Sequence, residues 1–411
     1  MGAPSGVNVQ AAVKRAAETY KWADASIGVV RNQIPILSDG LAVEPIFDIQ
    51  GAVVGSAAQQ QADIVGWKLS GPITTELWYE SLEPLFLAAL GYENPTVTSG
   101  LWPTATGGSP AFVEAAHYAC VHVFECDDVL NQTPWSLTER AVSSGISTDP
   151  TYWLATDEKV RHVEAFVYKE IPAGLSHWNQ HAYVRRATWR VKPGECAAEW
   201  DLVARLANRA YASGYGTTWA LPASRKRCLF PELHVYVSAV GATLSTEYGV
   251  REVEIILDNA LQEGEFGSAA TGAQYILEPI REGTRKVSGK LKIPRYTTEQ
   301  WESWRDAKTA LQLMVTLATS TNIPNSTVPY RLDFILPAIT ITKVGAPVGG
   351  AGVISVDVEF TATKPAGTQT WLTSLLGGIT QYKGNELLVR LVNGMQACYS
   401  RDRQAAGVTL P

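Results

Sequence analysis

The residues whose types could do chemistry fall into a few small groups. Two acidic pairs, Glu199 with Asp201 and Asp357 with Glu359, sit at i, i+2 spacing, and paired carboxylates are what glycoside hydrolysis uses. Cys120, His122 and Cys126 offer thiols and an imidazole on one face of an extended strand, a spacing compatible with metal ligation. Thirteen tryptophans could stack on sugar rings. Gly283 to Lys290 superficially resembles a phosphate-binding loop, and Gly349-Gly350-Ala351-Gly352 is rich enough in glycine to suggest a dinucleotide turn.

Each group has a plainer reading that carries more weight. The acidic pairs recur on what the patterning makes an exposed strand face, which fits a charged surface better than catalytic carboxylates. The Cys/His spacing is loose beside true zinc motifs and a fourth ligand must come from elsewhere, so burial in a sheet is favoured. Trp189 and Trp200 fall on the apolar side of their strands, and Trp301 and Trp304 on that of a helix, which assigns them to core packing. The glycine spacing before Lys290 is wrong for a phosphate loop, and Leu291 stands where Ser or Thr is required. The glycines at 349–352 open a strand rather than a helix, as a hairpin turn does. No G-x-S-x-G, H-E-x-x-H or Walker sequence occurs. The chain reads as one that is not an enzyme and uses no metal or cofactor.

The elements that position these groups are mostly strands. Ala116–Phe124, Leu233–Val237, Arg251–Ile256 and Val353–Thr361 alternate with period two between Gly, Pro, Asn and Asp residues. Two helices stand out. Ser81–Leu90 has Ser81 as its expected N-cap, Pro84 in the first turn, Gly91 as C-cap and one apolar face for a sheet. A second begins near Thr297–Thr298, with Thr297 and Gln300 as an expected capping box and Trp301, Trp304 and Leu311 along its buried side.

An internal repeat organises these elements. Lys68-Leu69-Ser70-Gly71 leads through a strand to Tyr79 and the first helix, and Lys286-Val287-Ser288-Gly289 leads through a strand to Tyr296 and the second. Downstream, 194–203 aligns without gaps on 352–361. Cys196, Ala198, Trp200 and Leu202 then match Ile354, Val356, Val358 and Phe360 on an apolar face, while Glu199 and Asp201 match Asp357 and Glu359 on the other. Each strand follows a partner with polar residues on one side (Thr188, Arg190; Thr340, Thr342) and a glycine-bearing turn, which reads as a hairpin. The expected division is a first β domain at 1–220 with an insertion at about 93–180, a second at 226–366, and a C-terminal extension at 367–411. The join, Ser213–Arg225, is rich in Gly, Ser and Thr.

Composition narrows the class of function. With 40 acidic and 34 basic side chains the net charge is −6, and the only basic cluster is Arg225-Lys226-Arg227, so a nucleic-acid-gripping face is not expected. No run of 18 apolar residues could form a membrane helix, and Met1 to Trp22 lacks the apolar core of a signal peptide. Five scattered cysteines fit reduced thiols in a cytoplasm better than a disulfide framework.

In order along nearly the whole chain, these features resemble phage tail tube proteins of the long, non-contractile type. Gly6 to Lys14 looks like the family's opening arm, Gly66–Leu90 its strand and "ALG" helix, and Val184–Arg205 and Pro337–Thr363 its terminal hairpin. The resemblance leaves out 93–180 and the C-terminal extension. It implies a mainly β fold of two tandem β-sandwich domains, each with a flanking helix, and a structural role in a virion. Two tube domains in one chain imply trimeric, pseudo-hexameric rings stacked into a hollow tube that conducts DNA. The implied neighbours are further copies of the chain and the tape measure, tail terminator and distal tail proteins. Because a tube must pass DNA without holding it, Glu199, Asp201, Asp357 and Glu359 are the candidate channel-lining residues. The alternative reading is a tail-tip or carbohydrate-binding multi-domain β protein.

Overall fold

A computed structural model of the chain describes residues 9–15, 31–49, 62–94, 120–126, 163–169, 175–210, 219–220, 226–261, 266–267, 275–276, 283–295, 298–323, 328–345, 355–365 and 385–393. The first half comprises β1 (Val9–Arg15), β2 (Arg31–Ile34), β3 (Ile36–Asp39), β4 (Ala42–Ile49), β5 (Ala62–Glu76), helix α1 (Glu83–Leu90), β6 (Gly91–Asn94), β7 (Cys120–Cys126), β8 (Val163–Lys169), β9 (Leu175–Lys192), β10 (Glu195–Ala210) and β11 (Trp219–Ala220). Then come β12 (Leu233–Ala239), β13 (Glu252–Asp258), β14 (Phe266–Gly267), β15 (Tyr275–Ile276) and β16 (Lys286–Ile293). Helix α2 (Gln300–Asp306), β17 (Leu311–Asn322), β18 (Pro329–Gly345), β19 (Val356–Ala362) and β20 (Leu388–Asn393) complete the described elements. The fold is mainly β, as the alternating segments predict.

Eight of these strands form one continuous antiparallel run. Strand β5 lies between β4 and β10, and β10 pairs with β9, giving the order β4-β5-β10-β9. The order β13-β16-β19-β18 repeats it. The two sets meet where β9 pairs with β13 from Val191↔Val253 to Arg186↔Asp258.

Register repeats along with order. Leu202 lies opposite Gly71 in the first set and Phe360 opposite Gly289 in the second. The hairpins carry a β-bulge at the same place: Asp201↔Arg186 gives way to Leu202↔Val184, and Glu359↔Lys343 to Phe360↔Ile341. A bulge adds one residue to one strand and bends it, so a shared bulge gives both hairpins the same local twist. The duplicated Ser-Gly pairs also find their reason here. A Cβ on Gly289 would overlap the Glu254 carbonyl oxygen and the Phe360 ring, and one on Gly71 (φ +146°) would overlap the Gly40 carbonyl. Only glycine lets the neighbouring backbone come this close.

One face of this sheet is the core. Val253, Ile255 and Leu257 of β13, Val287 and Leu291 of β16, Val356, Val358 and Phe360 of β19, and Trp189 and Trp200 of the first hairpin are all buried. Above them lies α1, whose Phe86 ring stands 5.4 Å from Trp200, 5.8 Å from Phe124, 6.0 Å from Trp189 and 6.3 Å from Phe334. Each such ring contributes about 1.5–3 kcal/mol by leaving water. The long strands β9 and β18 run on past the sheet. The remainder of β9 pairs with β8, which pairs with β1, and the remainder of β18 pairs with β17 and β20. Segments outside the repeat are thereby drawn together: β20 of the C-terminal extension pairs with β7 of the 93–180 insertion.

The helices depart in detail from the sequence reading. Leu82, not Ser81, precedes α1; Ser81 adopts a positive φ of 79°, so its backbone cannot serve as the cap, and no side-chain cap bond forms. Every residue from Glu83 to Leu90 is buried, because β1, β6, β7, β8 and β9 surround the helix where one sheet was expected. Gly91 closes it in the left-handed conformation, as expected. In α2 the Thr298 hydroxyl accepts from the Gln300 N–H at 2.9 Å, while Thr297 lies outside the described residues. That helix ends at Asp306, with Lys308 at φ +49°, so Leu311 opens β17 and does not line the helix.

Candidate functional site

Opposite the core, the eight-stranded run presents a polar face, and all four candidate channel-lining residues lie on it. Directly opposed residues in antiparallel strands put their side chains on the same side, so the register can be read as rows across the strands. One row runs Lys343–Glu359–Lys290–Glu254–Arg190 across β18, β19, β16, β13 and β9, alternating in sign at every step. A second runs Lys286–Asp258–Arg186–Asp201 across β16, β13, β9 and β10, again alternating. A third places Asp357 opposite Lys292, and Lys292 opposite Glu252.

The carboxylates of these rows have cationic partners along, beside or between the rows. Asp201 accepts from Arg185 at 2.8 Å, Glu359 from Lys343 at 3.0 Å, and Lys290 lies 3.5 Å from Asp357. At the seam between the two strand sets Glu254 accepts from Nε of Arg190 at 2.8 Å, and that hydrogen bond raises the Arg190 pKa above its ordinary value. Side chains at the seam are 39% and 21% exposed, so solvent screens the pair and it stabilises by about 0.5–1 kcal/mol at most. The pairs fix register more than they add stability.

Glu199 differs from the other three. Its row reads Thr361–Ser288–Ile256–Thr188–Glu199–Thr74–Ser38, so this exposed carboxylate is flanked by hydroxyls rather than cations. The face is thus a charge-balanced lattice in which Glu199 is the one carboxylate whose row carries no cation. Sequence reasoning found the anions by their alternation within a strand. It placed Arg190 on the polar side of its strand without a charge partner and gave Lys290, Lys343 and Glu254 no part in the face; their only signal was the polar parity of their own strands.

The other chemical candidates take their places in the core or at its margin. Trp189, Trp200 and Trp301 are buried, and Trp304 is half-buried at 5.2 Å from Trp301 with Tyr248 against both. Cys126 is buried, whereas the side chains of Cys120 and His122 lie outside the described residues. Among the described residues no three His, Cys, Asp or Glu side chains are grouped to hold a metal ion. Cys196 and Cys228 flank Leu77, which donates to one carbonyl and accepts from the other amide. Burial pushes the Cys196 thiol up to about 11 and Cys228 well above its ordinary value.

A fully buried carboxylate lies away from this face. Asp333 of β18 accepts from Arg390 of β20 at 2.6 Å, from Arg331 at 2.7 Å and from the Thr316 hydroxyl of β17 at 2.7 Å. It ties the C-terminal strand to the second strand set and lines no open space.

No protein-family model matches the chain, and no curated protein matches it either. Among solved structures, it is similar to a chain described as "Cryo-EM structure of the anti-feeding prophage (AFP) baseplate, 6-fold symmetrised", with 11% identity over 31% of this chain and 86% of that one. The TM-score is 0.21, too low to relate the two folds.

Proposed function

We propose that the chain is a structural subunit of a phage tail tube: three copies close a pseudo-hexameric ring, and rings stack into a hollow tube that conducts DNA. The observation that carries this reading is the seam between β9 and β13. One four-stranded set is joined edge to edge with a second set of the same order, register and bulge. A unit that binds its like through two different edges makes a head-to-tail contact, and such contacts generate closed rings when the rotation is right. Ring closure would also cover strand edges that invite aggregation in a lone subunit.

The polar face supports a conducting role for the channel. Each cation in the alternating rows lies beside at least one carboxylate, so a passing phosphate meets no uncompensated positive site to hold it. Glu199, Asp201, Asp357 and Glu359 line the channel in this reading. Copies of the chain are the principal partner, with tape measure, tail terminator and distal tail proteins at the ends of a virion-borne tube and no catalytic step. The 1–220 and 226–366 domains supply the two units per ring position, and the N-terminal arm, the 93–180 insertion or the C-terminal extension supplies contacts between rings. Sedimentation velocity over a range of concentrations tests the proposal. Growth from subunits to large, uniform-diameter polymers is expected, whereas a monomer at every concentration would favour the tail-tip or carbohydrate-binding alternative.

A further inference from the structure

The seam between the two strand sets has two open counterparts elsewhere in the chain. Strand β9 is sandwiched at 186–191 between β10 and β13. Its equivalent by register and bulge, β18, pairs at 343–345 with β19 alone among the described residues, because β17 on its other side reaches only as far as Ile339. Strand β13 likewise has an equivalent. Ile256, Leu257 and Asp258 lie opposite Ser288, Val287 and Lys286, as Ala42, Val43 and Glu44 lie opposite Ser70, Leu69 and Lys68. On its outer side β4 has no strand partner among the described residues, and Ala42 and Glu44 are exposed.

We infer that these two edges are partners in different copies of the chain, with Lys343–Gly345 of one copy pairing antiparallel with Ala42–Glu44 of the next. Carrying the seam over by the repeat sets the register. Arg186↔Asp258 becomes Lys343↔Glu44, Ala187↔Leu257 becomes Val344↔Val43, and Thr188↔Ile256 becomes Gly345↔Ala42. This inference rests on the reading above that the chain assembles with itself, and it assigns that contact to two strand edges.

Charge supports the register independently. At the seam Asp258 stands between Arg186 and Lys286, an anion between two cations. At the inferred junction Glu44 would stand between Lys343 and its own strand neighbour Lys68, restoring the same order of signs with different residues. A shift by one residue would set Glu44 against Val344 and turn the exposed faces of the strands to opposite sides. The ladder is also shorter than at the seam. Asn259 donates its N–H to the Arg185 carbonyl at 2.9 Å, but its counterpart is Pro45, which has no N–H to give. Pairing therefore stops at Glu44, as proline commonly ends pairing on an outer strand.

Engineered cysteines test the register. Ala42 is exposed and a Cβ added at Gly345 meets nothing within 4 Å, so Ala42→Cys and Gly345→Cys are both accommodated. Thr188→Cys with Ile256→Cys places the same pair at the internal seam as a positive control. Assembled protein carrying A42C and G345C is oxidised mildly with diamide and run on a denaturing gel beside each single variant and the control. Disulfide-linked dimers and higher species are expected only from the A42C/G345C pair, with the control linking within one chain. Assembly without those links, while the control links, overturns the junction and leaves the proposed function standing. Failure of the unsubstituted chain to assemble at any concentration overturns both.

Discussion

Replacing Asp333 by Ala removes a carboxylate with no exposed surface that is shared by Arg331, Arg390 and Thr316. Arg390 is itself 11% exposed at its side chain and reaches Asp333 at 2.6 Å, so its charge stays in a poorly solvated place when the carboxylate goes. Arg331 is 32% exposed and recovers part of its solvation from water. Removing one member of a buried ion pair costs about 3–5 kcal/mol, against a usual total stability of roughly 5–15 kcal/mol. Guanidinium unfolding followed by tryptophan fluorescence, below the assembly concentration, should therefore show a large fall in midpoint. The loss should also be local: hydrogen exchange of the Leu388–Asn393 amides should speed up more than that of Glu252–Asp258. Converting both partners, D333L with R390M, should cost less than the two single changes added, by about 1 kcal/mol or more. A fall under about 1 kcal/mol for D333A, or strict additivity in the double variant, would mean that Asp333 and Arg390 do not depend on each other for burial.

Four further outcomes are expected. Gly289→Ala should destabilise by about 1–3 kcal/mol in the same unfolding assay, since the new methyl meets the Glu254 carbonyl and the Phe360 ring. Phe86→Ala should cost about 3–5 kcal/mol, because four aromatic rings lose their common neighbour. Glu199→Lys should stay within about 0.5 kcal/mol of the natural chain, whereas Glu254→Lys, set between Arg190 and Lys290, should lose about 1 kcal/mol and regain part of it with Arg190→Glu. With its pKa raised to about 11, Cys196 is thiolate to about one part in a thousand at pH 8, so mass spectrometry after iodoacetamide treatment should find it unmodified there and increasingly labelled as pH approaches 11.

The sequence displayed the parts of this fold whose signals are local. Alternation found β12, β13 and β19, and the doubled Ser-Gly and acid-x-acid patterns marked β5 with β16 and β10 with β19 as equivalent strands. What escaped was decided between strands far apart in the chain. The cations that partner the acidic pairs come from neighbouring strands, and no spacing within one strand announces them. Strand β18 loses its alternation because every residue from Leu332 through Ile339 is buried, packed against strands and helix on both sides, so a buried Asp333 looks from sequence like an ordinary exposed turn of the pattern. Helix α1 is apolar at every position from Pro84 to Leu90, so its all-round burial was already legible in the sequence, and the surrounding strands bury Glu83 as well.

Electron microscopy of the concentrated, purified chain would show directly whether it builds a tube. Hollow tubes of stacked rings are expected, with six similar units around the axis, two from each chain, and a channel faced by the row from Lys343 to Arg190. Filaments without a channel, or rings in which that row faces the outside, would contradict the proposed function.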